Sequence, residues 1–188
     1  MVWQLDEPLA DPAALNVLFI SKLARNKGIK VILSGAGGDD IFSGYRRHVA
    51  VELDKYWQWW PRPIKEVLSK FSNSVNKKNN YIRRIAKYFQ YADKNPEERL
   101  INYFRWGNPS LIRSLLSDYL KERLEDKNAL NPMQSWLKNL PDNFTNLQKI
   151  LTLEQRYFLC DHNLYYTDIM SMEEGVEVRV PFLDKDLI

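Results

Sequence analysis

The chain has 188 residues, 45% apolar and 27% charged, with a formal net charge of +3. That length suits one domain with its own core, and the composition is that of a soluble globular protein with too little charge excess to force a nucleic-acid reading. A single cysteine, Cys160, excludes an internal disulfide and fits a reducing, cytoplasmic setting, while no apolar run reaches membrane-span length and MVWQLDEP lacks the basic start of a signal peptide.

In chain order, DPAALNVLFISKLARNKG (11–28) predicts a helix, with Asp11 as N-cap, Pro12 at the first helical position and Gly28 at the stop. IKVIL (29–33) is a short continuous apolar run, the pattern of a strand buried on both faces in a parallel sheet. SGAGG then reads as a loop, and Asp39 and Asp40 lie where a new helix begins, with Ile41, Phe42 and Tyr45 as its apolar residues. Beyond residue 55 the character changes. KYWQWWPRPIK (55–65) is aromatic and broken by proline, and SNSVNKKNN (72–80) is a polar connector. Helices are expected over 81–93, over 96–106 with Asn95 as cap, over 111–124, and over 131–140 from a second Asn-Pro start at Asn131. The longest candidate runs over 146–166, and 167–175 is a last short helix ending at Gly175. The pattern is mainly α with a small parallel-sheet remnant.

The chemistry concentrates in VILSGAGGDDIFSGY (31–45). Glycines let a backbone approach an anion and take positive φ, so a strand running into a glycine loop is how α/β proteins hold phosphates. Two aspartates there suit a site in which Mg²⁺ lies between carboxylate and phosphate oxygens. They equally suit caps and charge complements of the following helix. Neither G-x-G-x-x-G nor G-K-[ST] is present.

SGAGGDDIFSGYRRH closely resembles the second nucleotide-site motif of the asparagine synthetase family, S-G-(E or D)-G-(A or G)-D-E-hydrophobic-F-x-G-Y. DEPLADPAALN (6–16) resembles that family's D-E-P segment, and MSMEEGVEVRVPFLD (170–184) its S-M-x-x-x-x-E-(V or A)-R-V-P-F-L-D motif, in the family's order. The resemblance implies part of an α/β adenine-nucleotide α-hydrolase, or ATP-pyrophosphatase, fold. The implied activity activates a carboxylate, aspartate in the type member, as an acyl-adenylate with release of pyrophosphate. Ammonia from glutamine then forms the amide. The implied cofactors are ATP and Mg²⁺, and the implied partners are an acidic small-molecule substrate and a glutaminase domain upstream in the parent chain. A homodimer is one assembly open to it. On this basis Ser34, Gly35, Gly37, Gly38 and Asp39 are expected to bind the nucleotide, Asp39 to hold the metal, and Asp40, Glu177 and Arg179 to serve catalysis.

Two positions depart from the family pattern. Ala36 stands where a carboxylate usually faces the adenylate, and Ile169 where a lysine or arginine usually meets pyrophosphate. The two losses leave the net charge of the site unchanged, so they read either as compensation or as altered substrate or lost activity. The family's first phosphate loop, S-G-G-x-D-S, and its glutaminase cysteine do not occur, so the chain reads as a fragment carrying one wall of the ATP site, inactive alone.

Simpler readings accompany several candidates. Glu177 and Arg179 share one face of an extended segment and equally predict an ion pair fixing VPFLD. Asp168 is expected to cap a helix from 169 or to help orient the site, His162 to be a surface or core histidine, and Cys160 to be a core thiol. Arg46 and Arg47 could meet phosphates but read more simply as a solvated helix face, His48 follows them with no role assigned, and Trp57, Trp59 and Trp60 read as packing residues. Basic residues interleaved with aromatics in 55–65 and 77–91 also suit a single-strand RNA binder, but helical surface explains them as well.

Overall fold

The computed structural model describes residues 1–75, 79–105, 107, 109–125 and 128–188. The chain divides into two compact units, residues 1–45 with 151–188, and residues 46–150.

The first unit holds helix α1 (Ala13–Asn26), strand β1 (Val31–Leu33), the single-turn helix α2 (Gly38–Phe42), helix α11 (Tyr165–Glu173) and strand β2 (Glu177–Arg179). The N-cap of α1 is Pro12 rather than the expected Asp11, which lies one residue earlier and whose Oδ1 accepts the Ala13 amide at 2.9 Å. Gly28 supplies the positive φ, +75°, that the chain needs to leave the helix. α1 packs on α11 around buried Ala14, Tyr166 and Met170, with Leu5, Leu9, Val17, Leu18 and Ile169 closing the cluster. β1 and β2 run parallel, Val31 beside Glu177 and Leu33 beside Arg179. The expectation of a strand buried on both faces is corrected here. Val31 is 41% exposed and Leu33 73%, because these two strands are the whole described sheet and no layer covers that face.

The long helix expected over 146–166 forms, but not with one geometry. It begins as α10 (Asn146–Leu153), continues as a π-helical segment over Glu154–Leu164, and passes directly into α11. The expected separate helix over 167–175 is therefore the end of this run, stopped at Gly175, φ +63°. Asp168 lies inside α11 and is not its cap. Cys160 is exposed rather than a core thiol. A π-helix has a wider turn than an α-helix, so a face projected at 3.6 residues per turn is rotated away.

The second unit is helical: α3 (Arg46–Leu53), α4 (Arg62–Ser74), α5 (Asn80–Phe89), α6 (Pro96–Asn102), α7 (Pro109–Leu115), α8 (Asp118–Arg123), α9 (Asn131–Lys138) and most of α10. Asn95 caps α6 through Oδ1, which accepts the Glu98 amide at 2.8 Å. Three expectations are corrected. The 111–124 helix is two, because Ser117 takes the N-cap position of α8. Asn131 is the first residue of α9 rather than its cap. The connector over 72–80 is shorter, since α4 continues to Ser74, whose Oγ donates to the Lys70 carbonyl; residues 76–78 of it lie outside the described residues. Trp57 is buried, but Trp59 is 74% exposed, so it is not a packing residue. Trp57 lies under the Arg99 guanidinium, 4.2 Å from the ring centroid, and Arg99 pairs with Asp54, both buried. Burial raises the Asp54 carboxyl above its ordinary range, while Arg99 pulls it down. With Trp57 in this core, it is not available as a base-stacking platform.

Candidate functional site

All the residues expected to bind the nucleotide or to serve catalysis lie in the first unit, and Arg46, Arg47 and His48 begin the second. β1 ends at Leu33, and the chain continues beside β2 with the Ser34 amide donating to the Arg179 carbonyl at 2.8 Å. Ser34 then turns the loop, its Oγ accepting the Ala36 amide at 3.2 Å. Gly37 has φ +85°, the left-handed region, and opens α2. The cap reading of the aspartates is thus corrected: the N-cap is Gly37, and Asp39 and Asp40 follow in the first turn.

The loop and the VPFLD segment, separated by nearly the whole chain, are in direct contact. A Cβ on Gly37 would stand 2.9 Å from Leu183 Cγ, and one on Gly38 3.4 Å from Phe182. Phe182 also meets Phe42 edge to face at 6.1 Å. Gly37 is therefore required twice, for its backbone angle and for the volume that Leu183 takes. Gly35 is different, since nothing lies within 4 Å of where its Cβ would be.

The two aspartates have opposite environments. Asp39 is exposed, and Asp40 is 1% exposed. The Asp39 side chain folds over Gly44, where any Cβ would overlap its carboxylate, and the Asp39 carbonyl accepts the Gly44 amide at 3.1 Å. Asp40 Oδ2 accepts from the Tyr45 hydroxyl at 3.3 Å. Glu177 and Arg179 pair at 2.8 Å on the exposed face of β2, at 54% and 64% side-chain exposure for Glu177 and Arg179. Glu177 raises the pKa of Arg179 further above its ordinary value. The ion-pair reading of these two residues is the one their geometry supports.

The sequence places Tyr45 among the apolar residues of the helix after the loop, but α2 ends at Phe42 and Tyr45 lies beyond it; Asn163 and the partner of His162 have no signal in the sequence. Asn163 Nδ2 donates to the Tyr45 hydroxyl at 3.4 Å, and His162 Nε2 lies 2.9 Å from Asp11 Oδ2. His162 stacks on Phe158, whose ring meets Tyr45 edge to face at 5.8 Å. Burial, with Asp11 and Asp40 nearby, raises the Tyr166 hydroxyl. These pairings join positions 118 and 151 residues apart, so no local spacing announces them. Ile169, the site of a usual cation, packs against the apolar cluster of α1 and α11.

Among the described residues there is no group of three histidine, cysteine or acidic side chains arranged to hold a metal ion. Asp39 supplies one exposed hard oxygen donor. That fits Mg²⁺, which takes one or two carboxylates and completes its shell with substrate phosphates and water. No described helix is long and apolar enough to cross a membrane.

The chain belongs to the asparagine synthase family, whose model matches residues 1–188. A Mycobacterium tuberculosis protein, provisionally named as a glutamine-hydrolyzing asparagine synthetase, is 28% identical over all of this chain and 27% of its own length. The glutamine-hydrolyzing asparagine synthetase 1 of Bacillus subtilis is 27% identical over 98% of the chain and 28% of its own length. An amidase, chyE, of Penicillium rubens is 24% identical over 99% of the chain and 29% of its own length. The chain thus spans between a quarter and a third of these relatives. No solved structure matches it.

Proposed function

We propose that this chain is part of an ATP-dependent, amide-forming synthetase of the asparagine synthase type, a ligase within a longer protein of α/β ATP-pyrophosphatase fold. In this reading a carboxylate is activated as an acyl-adenylate, pyrophosphate leaves, and ammonia from a glutaminase domain attacks. The observation that carries the reading is the seating of Phe182 and Leu183 on Gly38 and Gly37, which brings two distant family motifs together at the glycine loop.

The roles divide by exposure. Ser34 and Gly35 line the nucleotide site, Gly37 and Gly38 shape the turn, and Asp39 would hold Mg²⁺. When bound, Mg²⁺ neutralises the phosphate charge. Asp40 acts from inside the fold. Glu177 and Arg179 brace the segment leading to VPFLD, and Arg179 also offers a cation on the open sheet face.

A second reading, a relative with impaired chemistry or a scaffolding role, is favoured by two residues. The Ala36 methyl neither accepts a hydrogen bond nor moves a proton, and Ile169 is committed to packing. ATP–pyrophosphate exchange by the longer protein that contains this chain, run with aspartate and a panel of other carboxylic acids, separates the two. Exchange with one acid supports the synthetase. Absence of exchange with every acid refutes it, and recovery in Ala36→Glu with Ile169→Lys would assign the loss to those positions.

A further inference from the structure

We propose that Tyr45 and Asn163 are positioning residues that anchor buried Asp40 and thereby fix exposed Asp39, one residue before it, at the surface. The proposal rests on the reading of Asp39 given above, but its geometry stands apart from it.

A carboxylate buried to 1% exposure is costly unless hydrogen bonds compensate for lost water. Asp40 Oδ2 accepts from the Tyr45 hydroxyl at 3.3 Å. That hydroxyl accepts in turn from Asn163 Nδ2 at 3.4 Å, and Asn163 Oδ1 accepts from the Tyr166 hydroxyl at 3.5 Å. The relay ends in α11, whose Tyr166 belongs to the apolar cluster of the unit. Its donors and acceptors alternate correctly: tyrosine donates to the carboxylate, the amide donates to tyrosine, and the second tyrosine donates to the amide.

α2 is one turn of five residues and closes on itself through few bonds, among them Ile41 to the Gly37 carbonyl at 3.0 Å and Gly44 to the Asp39 carbonyl at 3.1 Å. So short a helix does not hold its own shape in water. Its orientation must come from side chains, and Asp40 is the buried residue of this turn. The relay arises from the π-helical segment over Glu154–Leu164, a geometry that is rare and concentrated at functional sites. Asn163 sits next to its end. The wide turn there presents both His162, to Asp11, and Asn163, to Tyr45.

The test compares Tyr45→Phe and Asn163→Ala with the wild-type chain by amide hydrogen exchange, with Tyr119→Phe in α8 as a control. The expected result is exchange roughly tenfold faster at residues 38–44 in both variants, with α1 and β1 unchanged, as for loss of one hydrogen bond of the relay in a locally opening turn. Wild-type rates over 38–44 overturn the proposal. So does equal acceleration throughout residues 1–45 and 151–188, which would make the relay a general stabiliser. In the longer protein, the same variants should raise the pyrophosphate KM in exchange several-fold and leave the KM for the carboxylic acid unchanged. A wild-type protein without exchange activity, but with the local acceleration, would refute the functional reading and leave the relay standing.

Discussion

Gly37→Ala isolates the contact that assembles the candidate site. Two costs arise at this position. The backbone sits at φ +85°, where a residue with a Cβ loses about 1–2 kcal/mol. The new methyl also falls 2.9 Å from Leu183 Cγ, and insertion into a filled space costs about 1–3 kcal/mol. Leu183 is only half-buried and can turn aside, so the lower end of the second range applies, and the sum is about 2–3 kcal/mol. Two other glycines calibrate the experiment. Gly28 has φ +75° with nothing within 4 Å of its Cβ position, so Gly28→Ala should cost the backbone share alone, about 1–2 kcal/mol. Gly35 has neither constraint, so Gly35→Ala should be neutral or stabilise by up to about 1 kcal/mol. The assay is urea unfolding of the three variants, with Leu183→Ala added to complete a double-mutant cycle. Gly37→Ala should cost less in the Leu183→Ala background than in wild type, by about 1 kcal/mol. Equal costs for Gly28→Ala and Gly37→Ala, or an additive cycle, would refute the claim that Leu183 occupies the space at Gly37.

Arg99→Met should destabilise the second unit by about 3–5 kcal/mol, measured by chemical unfolding, because it strands the buried Asp54 carboxylate without its guanidinium. The Tyr88 hydroxyl, raised from 10.0 to about 12 chiefly by burial, should titrate late when tyrosinate absorbance is followed. Since the folded value lies above the unfolded one, its contribution is fully present below pH 10 and is lost as pH rises toward 12; Tyr88→Phe should flatten that part of the stability profile. Exposed Cys160 should react with a thiol reagent in the native state about as fast as in urea, whereas slow native labelling would restore the buried reading. Ile169→Lys should lower the thermal midpoint of the first unit through loss of packing on the α1–α11 cluster, and Ala36→Glu should not, a contrast that differential scanning calorimetry can read.

Much of the architecture follows from local rules that act within a few residues. Asn95 accepts the amide its spacing assigns, and Gly28 and Gly175 end helices with positive φ. The order of helix, strand, glycine loop and helix is equally local. What the sequence did not disclose depends on partners far along the chain or on a change of period. Asp39 and Asp40 are chemically identical neighbours with opposite exposure, and the Tyr45 and Asn163 side chains that meet buried Asp40 come from beyond its own helical turn. A period of 3.6 residues puts Cys160 on a buried face, whereas the helix there winds with π geometry and Cys160 is exposed. The apolar run of β1 predicts burial on both faces, yet two described strands leave Val31 and Leu33 open. The VPFLD motif announces itself in sequence, but not that its Phe182 and Leu183 fill the space above Gly38 and Gly37.

The role proposed for Asp39, the residue that would hold Mg²⁺ in a carboxylate-adenylating protein, is central to the account. ATP–pyrophosphate exchange by the longer protein, compared between wild type and Asp39→Asn, tests it most directly. The account predicts exchange that requires one carboxylic acid and Mg²⁺ and falls at least about a hundredfold in Asp39→Asn, the scale of losing one group that stabilises transition-state charge. Exchange that persists unchanged in Asp39→Asn would contradict it.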